Sequence, residues 1–406
     1  MRATSKNYKQ TQLACYLGFV TQAITANFTP LLFLSFHREY GVPITRLALI
    51  PAVFYVVQLV VDFLCARFAR RLDYRKGIVL SEITSALGLI GLTFVPALTS
   101  DPFVGILLCV AVYAMGSGLI EVLCSPIIEA CPFPNKESMM SLLHSFYCWG
   151  AVAVILGSTL FFTFFGLDNW RILAVLWALL PLYNIYNFAT CPIEPVVPDN
   201  KGMKLGALFK SGIFWVCMLL MVAAGASESI MAQWTSAFAE DALGVGKTVG
   251  DLAGPCGFAF CMGLSRLWYG KYGARVKLPF FMLVSGVLCL ASYLLAAFSA
   301  LPALALAGCM SCGLAVGIMW PGTISLSSAR IPTGGTALFA MLALCGDLGG
   351  STGPALVGVV SRYAGDDLQT GIVVGAVFAI LLISCILVLM LKTKESCHTD
   401  FTQSPK

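Results

Sequence analysis

Apolar runs of about 20 residues, the length an α-helix needs to cross a bilayer core, recur along the whole chain and are separated by short polar stretches. Twelve membrane spans are predicted: 13–36, 46–66, 78–98, 103–128, 138–165, 170–190, 212–238, 249–269, 279–298, 301–327, 335–361 and 368–391. The longest polar interruption, 191–210, carries Pro192, Pro195, Pro198, Lys201 and Lys204. It divides the chain into a first six-helix bundle over 1–190 and a second over 211–392, leaving a polar tail, 393–406, expected to be disordered. The pattern therefore predicts an all-α membrane protein with 12 transmembrane helices.

The two halves repeat at an offset of about 200 residues, as in transporters built from two related bundles with the substrate site between them. Span 13–36 aligns with 212–238, and 141–150 aligns with 341–350, both opening a glycine-containing helix. The basic stretch after span two (Arg67, Arg70, Arg71, Arg75, Lys76) aligns with Arg266, Lys271, Arg275 and Lys277 after span eight.

Composition agrees with the periodicity. The chain is 58% hydrophobic and 11% charged, with a mean hydropathy of +0.86; soluble domains carry about 25% charged residues. The net charge of +5 does not point to nucleic acid, because its distribution follows the membrane. With helices alternating from a cytoplasmic N-terminus, 20 of the 25 Lys and Arg fall on inside segments. Only Arg38, Arg46, Arg171, Lys247 and Arg362 fall outside. The positive-inside rule then places both termini in the cytoplasm of a multi-pass cell-membrane protein. The first apolar run is too long for a signal-peptide core and lacks a cleavage site after it, so it reads as an uncleaved helix. The 16 cysteines are spread through the helices, and Cys309 with Cys312 reads as packing rather than as a zinc or redox pair.

Chemistry enters through carboxylates inside the apolar spans: Asp62, Glu121, Glu228 and Asp347. An ionisable group at mid-membrane costs about 2.5–3.5 kcal/mol on insertion scales, so such residues mark aqueous paths and substrate sites. Helical spacing puts Ser117, Glu121 and Ser125 on one face. Glu121 reads either as a proton carrier or hydroxyl acceptor, or as a neutral acid hydrogen-bonded within the bundle. Glu228 precedes Gln233 and Trp234, a hydrogen-bonding group and an aromatic platform suited to polyols; Trp234 alone would equally serve as an interfacial anchor. Asp347 stands on a glycine-rich helix and is divided between proton coupling and a bond within its own bundle. Asp62 reads as an ion-pair partner of a nearby arginine such as Arg67. Asn27, Gln58, His144, Tyr147 and Trp320 are further cavity candidates; Trp320, Pro321 and Gly322 are expected to break span ten. The chain shows no phosphate loop, no H-E-x-x-H and no nucleophile elbow in a strand context. No enzyme, cofactor or metal site is expected.

Gly118, Leu119, Ile120 and Glu121 followed by Ser125 and Pro126 are similar to the fourth-helix G-x-x-E-x-x-x-N-P of fucose–proton symporters. Met319, Trp320 and Pro321 with Ile324, Ser325 and Leu326 resemble the tenth-helix F-P-x-x-F-S-L of the same branch. Gly225, Ala226, Ser227 and Glu228 with Trp234 look like the seventh-helix pattern of many relatives. Over about residues 10–392 the chain thus resembles the major facilitator superfamily, which implies two bundles related by a pseudo-two-fold axis. The resemblance assigns protonation and sugar binding to Glu121, with Ser125 in place of the branch's asparagine. Two further departures stand out. In the loop signature G-x-x-x-D-R-x-G-x-R-K, Arg70 replaces the aspartate and Asp73 the second glycine, so the gate formed by Arg67, Arg70, Arg71 and Arg75 must be rebuilt. The first helix has Asn27 and Phe28 where the fucose permease carries an acid, which argues against fucose itself.

The resemblance implies a monomeric secondary transporter moving a small polar solute, such as a sugar, by alternating access with proton symport. Residues 150–157 lack the Gly-Pro that antiporters of the superfamily carry there, which favours symport. An uncoupled facilitator, a proton-coupled exporter and a transport-inactive sensor are the alternatives.

Overall fold

The computed structural model describes residues 7–47, 49–194, 202–241, 244, 255–299, 301–365 and 367–402. Among these residues the chain is all helical, with fourteen helices of eight residues or more. They are α1 Tyr8–Asn27, α2 Phe33–Tyr40, α3 Leu49–Phe68, α4 Tyr74–Gly91, α5 Pro102–Ala130, α6 Lys136–Phe165 and α7 Trp170–Thr190. After the linker come α8 Gly212–Asp241, α9 Gly257–Tyr272, α10 Leu278–Phe298, α11 Pro302–Val316, α12 Met319–Arg330, α13 Gly335–Tyr363 and α14 Leu368–Thr402. Among the described residues, eight helical stretches are long and apolar enough to cross a membrane. Large apolar side chains such as Val56, Val60 and Phe63 on α3 are exposed, which suits lipid and would be a liability in water.

The predicted spans are helical over most of their described residues, and three differences bear on the site and the termini. The first span is broken: after Asn27 the chain turns through Thr29–Leu32, led by Pro30, before α2 begins. Proline fits the first turn of a helix but cannot donate to the turn before it. The tenth span divides into α11 and α12 at Gly317 and Ile318, one turn before the expected Trp320-Pro321-Gly322 break. The expected disordered tail is helical as far as Thr402, as a continuation of α14. Residues 195–201 of the linker and 249–254 of the eighth span lie outside the described residues.

Side chains at the loop ends start the helices. Asp73 accepts from Lys76 N at 3.1 Å to cap α4, and Asp101 accepts from Phe103 N at 3.0 Å to cap α5. Asn135 caps α6 through Ser138 N at 2.9 Å. Asp73, the residue that departs from the loop signature, is therefore in use as a helix cap. Arg75 closes the opposite kind of end: Nη1 donates to the carbonyls of Phe188 and Ala189 and Nη2 to that of Cys191, at 2.7–2.8 Å. These are among the carbonyls that the C-terminus of α7 leaves without helical donors.

Contacts divide the chain into two compact units, Met1–Lys204 with Thr333–Leu344, and Leu205–Pro332 with Cys345–Lys406. In the first unit α5 packs on α3, α4 and α1, α7 packs on α4 and α1, and α6 packs on α1. In the second unit α11 packs on α9, α10 and α8, and α14 packs on α10 and α8. Span for span these are the same pairings, as the sequence repeat requires. The first unit's core gathers Phe28, Phe36, Phe54, Tyr113 and Trp170 among other buried side chains. The Tyr74 hydroxyl, in that unit, shares a 2.5 Å hydrogen bond with that of Thr336.

Candidate functional site

The first unit encloses a polar network built from four helices. Gln22 on α1 and Gln58 on α3 donate from Nε2 to Glu121 Oε2 on α5, at 2.9 and 3.2 Å. Gln58 Nε2 also lies 3.3 Å from Ser117 Oγ, one turn before Glu121. One turn after it, Ser125 Oγ meets His144 Nε2 of α6 at 3.4 Å, and His144 packs edge-on against Phe19. The i, i+4 spacing thus places Ser117, Glu121 and Ser125 against partners from three neighbouring helices. Gly118 makes the approach of α3 close, since a Cβ there would meet the Val61 side chain at 3.1 Å. Gln22 is 7% exposed, and its Oε1 accepts no hydrogen bond from a described residue.

Two further expected members lie on the same helices. Asn27 Nδ2 donates to its own helix at Ala23 O, 2.8 Å away. Tyr147 is half-buried on α6, one turn past His144. Gln22 was absent from the sequence expectations, although a carboxamide inside an apolar run is the same signal that marks Gln58.

Glu82, a fifth membrane carboxylate, also escaped the sequence reading. It is fully buried on α4, where Thr21 Oγ1 donates to Oε2 at 3.0 Å and Asn184 Nδ2 donates to Oε1 at 2.8 Å. Asn184 Nδ2 lies 2.9 Å from Ala14 O as well, so α1, α4 and α7 meet at one point. The signal was misleading, because Glu82 lies close to Lys76 and near the predicted start of its span. In fact α4 begins at Tyr74, so Glu82 stands more than two turns inside.

In the second unit Glu228 of α8 pairs with Arg266 of α9, Nη2 to Oε2 at 3.0 Å, and Arg266 is 2% exposed. Arg266 is therefore not a cation of the basic loop. Moving it into the membrane leaves 19 of the 25 cationic side chains on inside segments, so the charge asymmetry stands. Beside this pair Tyr293 donates its hydroxyl to Ser227 O at 2.7 Å. Trp234 Nε1 donates to Pro354 O at 3.0 Å, and its ring would lie 3.2 Å from a Cβ at Gly358, so it docks on α13. Gln233 is exposed.

Asp347 is buried on α13, and its Oδ2 accepts no hydrogen bond from a described residue. Trp320 covers the neighbouring Gly346 so closely that a Cβ there would lie 2.2 Å from its ring. Asp62 is fully buried. Arg67, its expected partner, is exposed with its guanidinium 5.7 Å from the centroid of the Phe68 ring. Arg70 and Arg71 are exposed as well. Among the described residues no group of three or more His, Cys, Asp or Glu could hold a metal ion.

Comparison with curated proteins found no match. Among solved structures, the fold is similar to the E. coli fucose:proton symporter, with TM-score 0.77 and 15% identity over 93% of this chain and 98% of that one. It is similar to a proton:xylose symporter bound to 6-bromo-6-deoxy-D-glucose, with TM-score 0.79 and 11% identity over 94% and 95% of the two chains. The human organic anion transporter MFSD10 (TETRAN) matches with TM-score 0.70 and 16% identity over 94% of this chain and 100% of that one. The sequence model of the Major Facilitator Superfamily matches residues 14–354. With the family's model spanning most of its length and the family's fold in both units, this chain belongs to the major facilitator superfamily of membrane transporters.

Proposed function

We propose that the protein is a proton-coupled symporter of a small polar solute, a sugar or related metabolite, in a cell membrane with both termini cytoplasmic. The observation that carries the reading is the setting of Glu121: a buried carboxylate from one helix held by the neutral carboxamides of Gln22 and Gln58 from two others. Neither carboxamide is charged, so neither is left as an unpaired ion when a proton joins the carboxylate. Glu228 differs, because its protonation would leave the Arg266 guanidinium without the charge it faces, and uncompensated buried ions are costly. Asp347, with an oxygen that accepts no hydrogen bond from a described residue, is the second proton-carrier candidate.

The chemistry of the network also bears on the solute. Each carboxamide gives Glu121 one N–H, so Gln22 still offers the acceptor Oε1 beside its second N–H. Acceptors recognise hydroxyl or N–H donors and disfavour carboxylates and phosphates. A polyol fits this set better than an organic anion does. Proton entry supplies about 2.3 kcal/mol per 100 mV, enough for roughly fiftyfold accumulation.

The test has two stages. Thermal stability of the purified protein is screened against sugars, polyols and carboxylates, since a ligand that binds the native state raises it by mass action. The best solute is then followed in proteoliposomes together with proton uptake. Glu121→Gln is expected to abolish solute-driven proton uptake. Flux and proton uptake both unchanged in that variant would sink the proposal, and flux without any proton movement in the parent protein would make it a facilitator.

A further inference from the structure

The break between α11 and α12 has a cause that reaches across to Glu228. In an unbroken helix the Gly317 carbonyl would accept from the N–H four residues on, but that residue is Pro321, which has none. Inside a bilayer an unpaired carbonyl costs several kcal/mol, so a donor must come from elsewhere. Arg266 supplies it, Nε to Gly317 O at 2.9 Å. The same guanidinium donates through Nη2 to Glu228 Oε2 at 3.0 Å. Gly317 permits the approach: a Cβ there would lie 2.8 Å from Ser265 Cβ and 2.9 Å from Met262 O, so a larger residue would push the break away from α9. One planar side chain on α9 thus joins Glu228 on α8 to the break at Gly317 that Pro321 on α12 leaves without a donor.

We propose that Arg266 is a positioning residue that joins Glu228 to the break in the tenth span, so that a change in charge or hydrogen bonding at Glu228 alters the backbone at Gly317. The guanidinium is rigid and planar, and its Nε and Nη2 donors cannot move independently. If Glu228 loosens its hold, the guanidinium turns and the Gly317 carbonyl loses its donor. If Glu228 tightens its hold, the break is pinned. Because the fold repeats its helix pairings but no proline follows the aligned position of the fourth span by the same spacing, the device belongs to the second unit. Its part in transport rests on the reading above.

The test is hydrogen exchange of the purified full-length protein in lipid nanodiscs, with no solute added, read over residues 313–322. In the parent background Glu228→Gln is expected to speed exchange there about tenfold or more, the effect of losing one charge-assisted hydrogen bond, with α10 unchanged. Pro321→Ala restores an N–H that can reach Gly317 O, so in that background Glu228→Gln should leave exchange at the break unaltered. Arg266→Lys, which keeps the charge and loses the planar fork, should follow the same pattern in both backgrounds. Either variant acting equally with and without Pro321, or acting in neither, overturns the clamp. Because no solute or proton flux is read, the clamp and the symport reading fail separately.

Discussion

A methyl group at Gly349 is expected to unseat the second unit's helix pair α8 and α13. A Cβ at this position would stand 2.0 Å from the Val222 carbonyl oxygen, 2.8 Å from its carbon and 3.0 Å from Ala226 N. Ordinary carbon–oxygen contacts are about 3.3 Å, so the helices must part by about 1 Å, and the obstacle is backbone that cannot rotate away. The same seam is tight at Gly225 against Gly346 and at Gly353 against Ala226, so parting the helices loosens all three contacts. A gap of about 0.5–1 Å already forfeits roughly a quarter to a half of the dispersion attraction, and dispersion is a main force between helices in lipid. Overpacking costs about 1–3 kcal/mol, and a backbone clash belongs at the upper end. At about 2–4 °C per kcal/mol for a unit of this size, Gly349→Ala should melt roughly 6–12 °C below the parent. Gly350→Ala is the internal control, since a Cβ there meets the rotatable Ser229 hydroxyl at 3.0 Å. Thermal unfolding in detergent, followed by intrinsic fluorescence, reads both. Equal melting temperatures for the two variants would refute the close-packed seam.

Three further expectations follow from the first unit and the loops. Glu82→Gln should be nearly neutral, because the Thr21 hydroxyl can turn to accept from the new amide, whereas Glu82→Ala strands Asn184 and should cost about 2–3 kcal/mol; similar melting of the two variants would contradict the tie. Arg75→Lys loses the planar fork whose two nitrogens reach the three carbonyls, so it should lower stability by about 2 kcal/mol and speed exchange at residues 188–191; unchanged exchange there would refute the cap. Asp367 accepts from the Thr370 hydroxyl and from the backbone of Gln369 and Thr370, which holds its carboxyl below the usual value. Its cap on α14 is therefore complete above the ordinary carboxylate range and is lost as pH falls through the lowered value; Asp367→Asn should remove that part of the pH dependence of melting, and a variant with the parental pH slope would argue against it.

Much of this architecture was legible in the residues. Apolar runs mark the spans because lipid leaves a chain no other use for them, and the i, i+4 set of Ser117, Glu121 and Ser125 forecast which residues share a face. What stayed hidden depends on neighbours distant in sequence. Gln22 gains meaning only when α1 is laid against α5, and Glu82 only when Asn184 arrives from α7. Arg266 misled because it is followed by Lys271, Arg275 and Lys277, a context that reads as a cytoplasmic loop. Trp234 and Asn27 carry the right chemistry for a cavity, but they spend their hydrogen bonds on backbone carbonyls. Helical boundaries were least legible where proline acts indirectly, as at Gly317, four residues before the proline responsible.

The three-helix tie at Glu82 also sets an order of assembly. Its donor Asn184 is 102 residues downstream, and at about 5–20 residues per second of synthesis it emerges roughly 5–20 s after Glu82 does. During that interval α4 carries an acid that only Thr21 can serve. The tie among α1, α4 and α7 is therefore completed only after the chain has been made through Asn184.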